Sequence, residues 1–362
     1  MIRILHIVSF MQRGGLETLI MNCYRHIDRE KMQFDFVVHR DFRADYDDEI
    51  EALGGKIYRL PRLNPFSPGY KRALLDFFTA HPEYRIVHCH LDCMSALPLA
   101  AAKQCGVPVR IAHGHNSNQD KDWKYPLKRW FMRDIPTVAT HFFACSKEAG
   151  EWMFPGQTVT IINNGIETER FAFSPEVRSQ VREELGLKEE LVLGHVGRIV
   201  PQKNHDFLID IFAEVAKRTP NAKLLLMGTG PLEEHVRRKV NELGLLDRVR
   251  FLGVRSDVNR ILQAVDVFVL PSLYEGLSLT SVEAQTSGLL CFFSDTVPKA
   301  CQMTDAVTFM SLETPTSQWA AKILEHVGQA RTDHSHEIRA AGFDIKTTAD
   351  WLVAFYIEQE NN

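Results

Sequence analysis

The sequence predicts an α/β fold with two domains, each built on a doubly wound parallel sheet. Short apolar runs alternate with helix-like segments along the chain, which is typical of repeated βα units. Glycines and polar residues recur where the apolar runs end, and ligands of open α/β sheets bind beyond these carboxyl ends. A length of 362 residues also favours two domains, because one domain usually spans roughly 100–200 residues.

Composition and charge indicate an ordinary globular protein. Hydrophobic residues make up 45% of the chain and charged residues 24%. A net charge of −4 gives no general attraction to nucleic acid, so no nucleic-acid partner is expected. The seven cysteines are odd in number and irregularly spaced, which favours a reducing cytoplasmic setting. No apolar run reaches the ~20 residues of a membrane-spanning helix, and we interpret residues 1–10 as a buried strand, not a signal peptide.

The first half of the chain alternates predicted strands with helices. Gly14 and Gly15 lie where the first strand gives way to a helix, and paired glycines there allow a ligand to approach the backbone, although a tight turn needs the same residues. No G-x-G-x-x-G dinucleotide fingerprint is present. We predict strands over 2–9, 34–39, 56–60, 86–89, 109–112, 138–144 and 159–162, and helices after Gly15 and over 47–53, 70–79, 96–105 and 145–153.

The segment 88–93, HCHLDC, could be a metal cluster. On a strand, however, His88 and His90 share one face while Cys89 points to the other. No second pair of ligands follows at zinc-like spacing. We therefore expect no metal site there.

A second histidine pair, His113 and His115, follows the fifth predicted strand. At the carboxyl end of a parallel strand, one of these side chains is well placed to meet a substrate. The alternative is a structural histidine with its hydrogen bonds satisfied inside the protein.

The segment 123–133, WKYPLKRWFMR, mixes basic residues with Trp, Tyr, Leu, Phe and Met. Such a mixture suits a membrane interface or a lipid-phosphate acceptor. The segment is therefore a candidate for peripheral contact with the inner face of the plasma membrane. The alternative is a solvated helix whose aromatic residues pack inward.

The segment 163–180 lacks a strong period, and we place the domain boundary within it, near residue 170. The predicted domains are then 1–170 and 171–345, followed by an amphipathic closing helix over 346–362. In the second half we predict strands over 191–196, 223–227, 249–252, 267–270 and 289–293, and helices from about 204, over 258–264, after Ser278 and over 319–328.

The segment 266–288 carries the main candidate site. A helix is predicted to begin after Ser278, a favoured N-cap residue, with Glu275 before it and Glu283 about one turn inside it. Free amides in the first helical turn favour an anion, and carboxylates accept hydrogen bonds from hydroxyls. A nucleotide sugar offers both groups, whereas an ordinary βα unit would also explain these residues.

Arg198 and Lys203 lie in another strand-to-helix loop, after Gly197. Two cations there suit a pyrophosphate, since arginine offers a fork of donors and lysine a compact charge. Ordinary surface charge is the alternative. Gly228 ends the next strand in a G-x-G turn that lacks the third glycine of a dinucleotide site. With candidate groups at strand ends in both halves, the sequence predicts a cleft between the two domains.

In this order and strand context, the motifs resemble those of the retaining glycosyltransferases of family 4. The resemblance covers nearly the whole chain and is nearest to the branch that builds bacterial exopolysaccharides and capsules. It implies the GT-B fold, with two Rossmann-like domains facing a central cleft and the closing helix packed back on the first domain. The motifs are Gly14-Gly15, the histidine after the fifth strand, Gly197-Arg198 with Lys203-Asn204, Gly228-x-Gly230-Pro231, and Glu275 followed by Glu283.

The resemblance also implies a role for each site residue. Glu283 would accept hydrogen bonds from the ribose hydroxyls of the donor, and Glu275 would meet hydroxyls of the transferred sugar. Arg198 and Lys203 would hold the diphosphate, and His115 would lie beside the sugar, with His113 as the alternative. The other implied donor-binding positions are backbone groups or apolar side chains at strand ends, namely Gly14, Gly15, Gly197, Gly228, Val254, Gly276, Leu277, Ser278, Leu279 and Thr280.

The activity implied by the resemblance is hexosyl transfer from a nucleotide sugar to a lipid-linked or growing saccharide. The family favours UDP over GDP or ADP as the nucleotide. Cations and amides at the β-phosphate would stabilise the leaving group, so no metal cofactor is expected. One alternative is a nucleotide-sugar 2-epimerase on the same fold, against which the basic and aromatic segment 123–133 argues. Another is a non-enzymatic sugar-nucleotide-binding or adaptor protein, against which the intact pair of acids and pair of cations argue.

Overall fold

The computed structural model describes residues 1–115 and 125–361. The chain divides into two compact units. Unit 1 comprises Met1–Gly165 together with Ile345–Asn362, and unit 2 comprises Ile166–Asp344.

Unit 1 is built on a seven-stranded parallel sheet with helices between its strands. Its last helix comes from the end of the chain. The strands are β1 (Ile2–Ile7), β2 (Met32–Val38), β3 (Ile57–Arg59), β4 (Ile86–Cys89), β5 (Val109–Gly114), β6 (His141–Ala144) and β7 (Thr160–Ile161). The helices are α1 (Gly15–His26), α2 (Asp47–Ala52), α3 (Pro68–Ala80), α4 (Ala96–Gln104), α5 (Tyr125–Met132), α6 (Ile135–Val138) and α7 (Lys147–Met153).

Unit 2 repeats the plan on a six-stranded parallel sheet. Its helices are α8 (Thr168–Phe171), α9 (Pro175–Glu184), α10 (His205–Arg218), α11 (Glu233–Glu242), α12 (Val258–Ala264), α13 (Leu279–Thr286), α14 (Thr316–His326) and α15 (Ser335–Ala340). Its strands are β8 (Val192–Val196), β9 (Lys223–Met227), β10 (Val249–Gly253), β11 (Val267–Leu270), β12 (Leu290–Ser294) and β13 (Val307–Met310). The chain then returns to unit 1 as α16 (Ile345–Asn361).

The strand order reverses once in each sheet. It is β3-β2-β1-β4-β5-β6-β7 in unit 1 and β10-β9-β8-β11-β12-β13 in unit 2. The predicted fold class of two doubly wound parallel-sheet domains is therefore confirmed. The reversal points, between β1 and β4 and between β8 and β11, are where ligands bind in such sheets, because the loops that leave these neighbouring strands diverge.

Each sheet is buried on both faces, as β1 illustrates. Ile4 packs with Tyr24 of α1 and with residues of α16, whereas its neighbour Leu5 packs with Leu74 of α3 and Leu99 of α4. Successive strand residues point to opposite faces, so a strand covered by helices on both sides is mainly apolar. The continuous apolar runs that suggested a parallel sheet follow from this double burial.

Several helices begin where the sequence provides a cap. Ser67 accepts a hydrogen bond from the Tyr70 amide at the start of α3, and Ser174 accepts one from the Val177 amide at the start of α9. A proline follows each of these serines at the first helical position, where its missing N–H costs nothing. The Ser-Pro signal could have located α9, which the sequence analysis did not predict.

Other differences from the sequence analysis have simple physical causes. Helices α8, α11 and α15 and strand β13 were also not predicted. Helix α11 buries only Val236 and Val240, so its apolar period is weak. The strand predicted over 138–144 begins only at His141, because Ile135–Val138 form α6. Among the helices of the described ranges, none combines the length and apolar composition that crossing a bilayer requires.

Candidate functional site

The candidate residues of unit 2 lie at the reversal point of its sheet. Strands β8 and β11 pair side by side, but the chain continues from β8 to β9 on one side and from β11 to β12 on the other. Arg198 and Lys203 follow β8, while Glu275 follows β11. The fold thus brings together residues that are far apart in the sequence, at the position where open α/β sheets bind ligands.

Lys203 and Glu275 form a direct ion pair. Lys203 Nζ donates to Glu275 Oε1 at 2.6 Å, and Ser272 Oγ donates to the same oxygen at 2.6 Å. The lysine side chain is 15% exposed and the glutamate side chain 6%. A carboxylate so far removed from water needs such partners to remain charged.

Backbone contacts join the two loops that carry this ion pair. The Leu273 amide donates to the Gln202 carbonyl at 2.8 Å, and Gln202 Nε2 donates to the Tyr274 carbonyl at 3.0 Å. Asn204 adopts a left-handed conformation, with φ of 54°, between the turn that carries Lys203 and helix α10. Asparagine tolerates this conformation better than most residues. The cation and the acid are therefore held by the fold, not by their side chains alone.

Free amides at the start of α13 lie next to Glu275. Within the described residues, the N–H groups of Gly276, Leu277, Leu279 and Thr280 have no hydrogen-bond acceptor. Ser278 takes the N-cap position, but its side chain caps no amide; instead its Oγ hydrogen-bonds Thr280 Oγ1 at 3.1 Å. Unused N–H groups and the positive end of the helix dipole make this turn suitable for a phosphate.

Glu283 lies on α13, one turn beyond these amides, and is half-buried. Burial raises the pKa of its carboxyl to about 8, and the positive charge of Arg170 opposes this effect only in part. No hydrogen bond to this carboxyl is present in the described part of the chain. The group is therefore a hydrogen-bonding site that a ligand hydroxyl could satisfy.

Two glycines shape the loop that carries Arg198. A Cβ at Gly228, where φ is +133°, would lie 2.1 Å from the Gly197 carbonyl oxygen, and one at Gly230 would lie 2.3 Å from the Ile199 carbonyl oxygen. Both positions thus need glycine for close backbone packing. A Cβ at Gly197 would meet Lys203 Cε at 3.2 Å. Each of these glycines therefore has a packing role, whether or not it also contacts a ligand.

Arg198 and Val254 both face solvent. Arg198 is exposed, and within the described residues its guanidinium has no hydrogen-bond or ion-pair partner. Val254 directly follows β10 and is 70% exposed. Both side chains are therefore available to a ligand at the carboxyl edge of the sheet.

In unit 1, Gly14 and Gly15 lie at the start of α1 and are exposed. A Cβ at Gly14 would come within 2.4 Å of a Glu17 carboxylate oxygen, while one at Gly15 would meet only Asn164, at 4.0 Å. A Cβ at Gly14 would displace only the flexible end of the Glu17 side chain, and Gly15 leaves its backbone open.

Five histidines form one cluster at the reversal point of unit 1. They come from β1, from β4 and β5, and from the residues just beyond these last two strands. In the sheet, β1 pairs His6 with His88, and β5 lies on the other side of β4. The rings of His113 and His115 have centroids 4.0 Å apart, and those of His88 and His90 4.2 Å.

Two hydrogen-bonded chains run through this histidine cluster. In the first, the Tyr356 hydroxyl bonds His88 Nδ1 at 2.6 Å, and His88 Nε2 bonds His113 Nδ1 at 3.1 Å. The second joins His6 to His90 at 3.0 Å and His90 to His115 at 2.9 Å. Among the described residues, one ring nitrogen has no partner in each of three of these histidines: His6 Nε2, His113 Nε2 and His115 Nδ1.

Burial keeps the histidine cluster uncharged. Removal from water lowers the pKa of His6 and that of His115 to about 3, and lowers the pKa values of His88, His90 and His113 well below their usual range. His113 is only 2% exposed, whereas His115 is half-buried. Of the two histidines after β5, His115 is therefore the more accessible.

Sequence reasoning missed that these five histidines lie together. Spacing along the chain gave no second ligand pair for His88 and His90. In the sheet, however, β4 and β5 pair in parallel with Cys89 opposite Ala112. This register brings His113 and His115 next to His88 and His90. Histidines at alternate positions near the ends of adjacent strands were the available signal.

A large pocket in unit 2 lies away from these candidate residues. Its lining includes Leu191, Val267 and Leu290, which lie near the beginnings of strands. The guanidinium groups of Arg178 and Arg331 in its wall donate to backbone carbonyls. We assign these arginines a structural role, because the carboxyl ends of the strands are the ligand-binding edge.

Sequence comparison places both halves of the chain in known families. The family model described as "Glycosyltransferase Family 4" matches residues 13–170, and the one described as "Glycosyl transferases group 1" matches residues 190–328. A Bacillus subtilis (strain 168) protein that carries the name glycosyltransferase EpsF is 34% identical over 369 residues, which cover 98% of this chain and 96% of that protein. The capsular polysaccharide biosynthesis glycosyltransferase CapH of Staphylococcus aureus is 25% identical over 99% of both chains.

A third relative is similar over part of its length. An Escherichia coli UDP-Gal:alpha-D-GlcNAc-diphosphoundecaprenol alpha-1,3-galactosyltransferase is 33% identical over 59% of this chain and 58% of its own.

Solved structures share the fold along the whole chain. Anabaena Alr3699/HepE in complex with UDP superposes with a TM-score of 0.81 at 18% identity, covering 99% of this chain and 100% of the other. WaaG, a glycosyltransferase involved in lipopolysaccharide biosynthesis, gives a TM-score of 0.66 at 17% identity over 96% and 95% of the two chains. The neighbours are GT-B enzymes, which confirms that fold for this chain. With both halves matched in sequence and the whole chain matched in fold, the protein is an enzyme that belongs to glycosyltransferase family 4.

Proposed function

We propose that this enzyme transfers a sugar from a UDP-sugar to a lipid-linked or growing saccharide in surface polysaccharide biosynthesis, with retention of anomeric configuration. The observation that carries the proposal is the contact between Lys203 and Glu275 beside the free amides of α13. The Lys203 cation and the free amides suit a diphosphate, and the Glu275 carboxylate suits sugar hydroxyls. A nucleotide sugar joins these two groups in one molecule.

The donor is held mainly by unit 2. The diphosphate lies at the start of α13 and accepts hydrogen bonds from its amides, with Arg198 and Lys203 supplying positive charge. Glu283, one turn further along, accepts from the ribose hydroxyls, and exposed Val254 lines the base. Because the Glu283 carboxyl has no hydrogen-bond partner among the described residues, it loses nothing within the protein when it binds the ribose.

Transfer builds negative charge on the leaving β-phosphate. Lys203 and the α13 amides are held in place before the reaction, so they stabilise this charge with little reorganisation, and Arg198 adds further positive charge. Because the protein supplies the positive charge that stabilises the leaving phosphate, we propose that transfer requires no metal. The acceptor hydroxyl attacks the anomeric carbon from the same face that the phosphate leaves, and it gives its proton to the departing phosphate. Attack from this face retains the anomeric configuration.

In unit 1, the residues proposed to contact the substrates are His115, Gly14 and Gly15. His115 is the more accessible of the two histidines after β5, and one of its ring nitrogens has no partner in the described ranges 1–115 and 125–361. That nitrogen suits a sugar hydroxyl. We propose that His115, not His113, lies beside the transferred sugar.

Two findings on similar proteins support the nature of donor and acceptor. Anabaena Alr3699/HepE was solved with UDP, and the E. coli relative is named for UDP-Gal and for a diphosphoundecaprenol-linked sugar. We therefore propose UDP as the nucleotide and a lipid diphosphate-linked saccharide as the acceptor.

A lipid-linked acceptor places the enzyme in the cytoplasm at the inner face of the membrane. Helix α5 is the proposed contact, with Trp130 49% exposed and, on the neighbouring loop, Phe66 69% exposed. The Phe66 ring contacts Phe131 of α5, with centroids 6.3 Å apart. Trp123 and Lys124, part of the same predicted segment, lie outside the described residues.

The test is a thermal-shift and hydrolysis panel over UDP-, GDP- and ADP-sugars, with Glu283→Ala alongside the wild type. We expect one nucleotide sugar, the UDP compound, to raise the Tm of the wild type and not that of the variant, with slow sugar release that continues in a chelator. Stabilisation by none of them would overturn the proposal in favour of an adaptor protein. Conversion of the donor into an epimeric sugar, with no acceptor present and no free sugar released, would instead identify an epimerase.

A further inference from the structure

We propose that His90, His113 and His115 of unit 1 form a binding site for one divalent transition-metal ion that prefers nitrogen ligands, such as Zn²⁺ or Co²⁺. One ring nitrogen from each of the three lies within 4.8 Å of the other two. Zinc bound tetrahedrally at about 2.0–2.1 Å spaces its ligand nitrogens by about 3.4 Å. The side chains must rotate to bring their nitrogens to that spacing. The inference goes beyond the proposed transfer, to which no metal contributes. Because the ion would occupy the His115 nitrogen proposed for the sugar hydroxyl, metal and sugar compete for this residue.

Rigid elements hold the three rings. The His90 amide donates to the Ile7 carbonyl at 2.9 Å, which extends the pairing of β4 with β1 by one residue. His113 belongs to β5, and the His115 amide donates to Asp92 Oδ1 at 3.0 Å. A ligand set fixed by strands and backbone hydrogen bonds loses little freedom when it binds an ion.

Two of the three rings have a nitrogen that nothing in the described chain satisfies. These atoms are His113 Nε2 and His115 Nδ1, and the His113 residue is 2% exposed. A buried polar atom without a partner destabilises the folded protein. A metal ion would satisfy both nitrogens at once. His90, whose two ring nitrogens bond His6 and His115, must release one of these bonds to join.

An outer shell for His113 is already present. When Nε2 of a histidine binds a metal, Nδ1 carries the proton and needs an acceptor. His113 Nδ1 lies 3.1 Å from His88 Nε2, and His88 Nδ1 lies 2.6 Å from the Tyr356 hydroxyl. In this arrangement His113 Nδ1–H donates to His88 Nε2, and His88 Nδ1–H donates to the Tyr356 hydroxyl oxygen. These hydrogen bonds fix the tautomer of His113 that coordination requires.

The donor chemistry selects the class of metal. Three neutral imidazoles suit Zn²⁺, Co²⁺ and Ni²⁺, whereas Mg²⁺ and Ca²⁺ prefer oxygen ligands. The Asp92 carboxylate is directed at the backbone of His115. A second set, His6, His88 and His90, also falls within 4.8 Å. It is the weaker candidate, because both ring nitrogens of His88 and of His90 already have partners.

The experiment is titration of the metal-stripped full-length protein with ZnCl₂ by calorimetry and with CoCl₂ by visible absorption. We expect one equivalent to bind, with the intense d–d bands of tetrahedral cobalt. His113→Asn should weaken Zn²⁺ binding by more than the roughly 10–100-fold that loss of an outer-shell partner costs. His235→Asn should change nothing. His235 is an exposed histidine paired with Asp206 and controls for adventitious surface binding.

His113→Cys guards against a variant that only misfolds. If the ion sits at this residue, the cobalt complex of that variant gains a thiolate-to-cobalt charge-transfer band in the near ultraviolet. Absence of saturable binding to the wild type, or equal affinity in wild type and a folded His113→Asn, would overturn the inference. The titrations use no nucleotide, so their failure leaves the proposed transfer standing, and a failed donor panel leaves the metal site standing.

Discussion

Lys203 and Glu275 show how single residues determine the candidate site. Neither is exceptional in the sequence, where each is one charged residue in a loop. They are 72 positions apart in the sequence, yet in the fold they share a 2.6 Å hydrogen bond. The ion pair holds the Lys203 ammonium group in position while no ligand is bound, so the cation is in place before the donor arrives.

Lys203→Ala is predicted to impair use of the donor. Loss of a charge-assisted hydrogen bond costs about 1.5–3 kcal/mol, which corresponds to a decrease of roughly 10–150-fold in kcat/KM. The measurement is initial rate at subsaturating donor. Lys239→Ala is the matched control, since Lys239 forms a 2.7 Å ion pair with Asp210 and is 23% exposed. An undiminished kcat/KM in Lys203→Ala would contradict the phosphate role.

Glu283 is predicted to make donor binding depend on pH. Ribose hydroxyls that donate to its carboxyl favour the ionised form, whereas burial raises the pKa of the ligand-free group to about 8. Binding at pH 7 must therefore release a proton. The Kd for a UDP-sugar should rise as pH falls below 8, by at most about tenfold per pH unit.

Calorimetry in buffers of different ionisation enthalpy measures the released proton directly. A UDP-sugar is the right ligand, because both ends of its diphosphate are esterified and do not titrate in this range. Glu283→Gln is the matched variant, since it keeps the shape and cannot ionise. If Glu283→Gln shows the same pH slope as the wild type, the proton belongs to another group.

At the scale of elements, α13 shows what local sequence can and cannot predict. Its start after Ser278 was predicted from the residue type, and the helix does begin at Leu279. The reason given was incomplete, because the Ser278 hydroxyl bonds Thr280 instead of capping an amide. The sequence thus located both the helix and the free amides of its first turn, whereas the contact of Ser278 with Thr280 was visible only in the fold.

Helix α5 is predicted to bind anionic vesicles. Trp130→Ala combined with Lys128→Gln and Arg129→Gln removes an exposed aromatic side chain and two charges, each charge worth about 1 kcal/mol near an anionic surface. Vesicle flotation should show at least a tenfold loss of affinity. Trp351→Ala is the control, because Trp351 of α16 is similarly exposed, at 42%. Unchanged binding in the triple variant would favour a solvated helix.

For the whole molecule, strand order explains why the fold could be predicted while the clusters could not. Alternating strands and helices predict two doubly wound sheets without any knowledge of which strands are neighbours. The contact of Lys203 with Glu275 requires β8 beside β11, and the histidine cluster requires β1, β4 and β5 in that order. Neither adjacency follows from the local pattern of residues.

Acid is predicted to unfold unit 1 before unit 2. Burial lowers the pKa of seven described histidines in unit 1, but of only two in unit 2, His195 and His205. An unfolded histidine titrates near pH 6.5. Between that pH and the lower folded pKa, the unfolded chain binds more protons, so stability falls with pH by up to about 1.4 kcal/mol per unit for each histidine.

Hydrogen exchange measured by mass spectrometry at pH 7, 6 and 5, corrected for intrinsic rates, resolves the two units peptide by peptide. Peptides of β1, β4 and β5 should lose protection at a higher pH than those of β8 and β11. His6→Gln should reduce the pH dependence in unit 1, because it removes one titrating ring, whereas exposed His235→Asn should not. Loss of protection in unit 2 first, or in both units together, would mean that burial of the histidine cluster does not control acid stability.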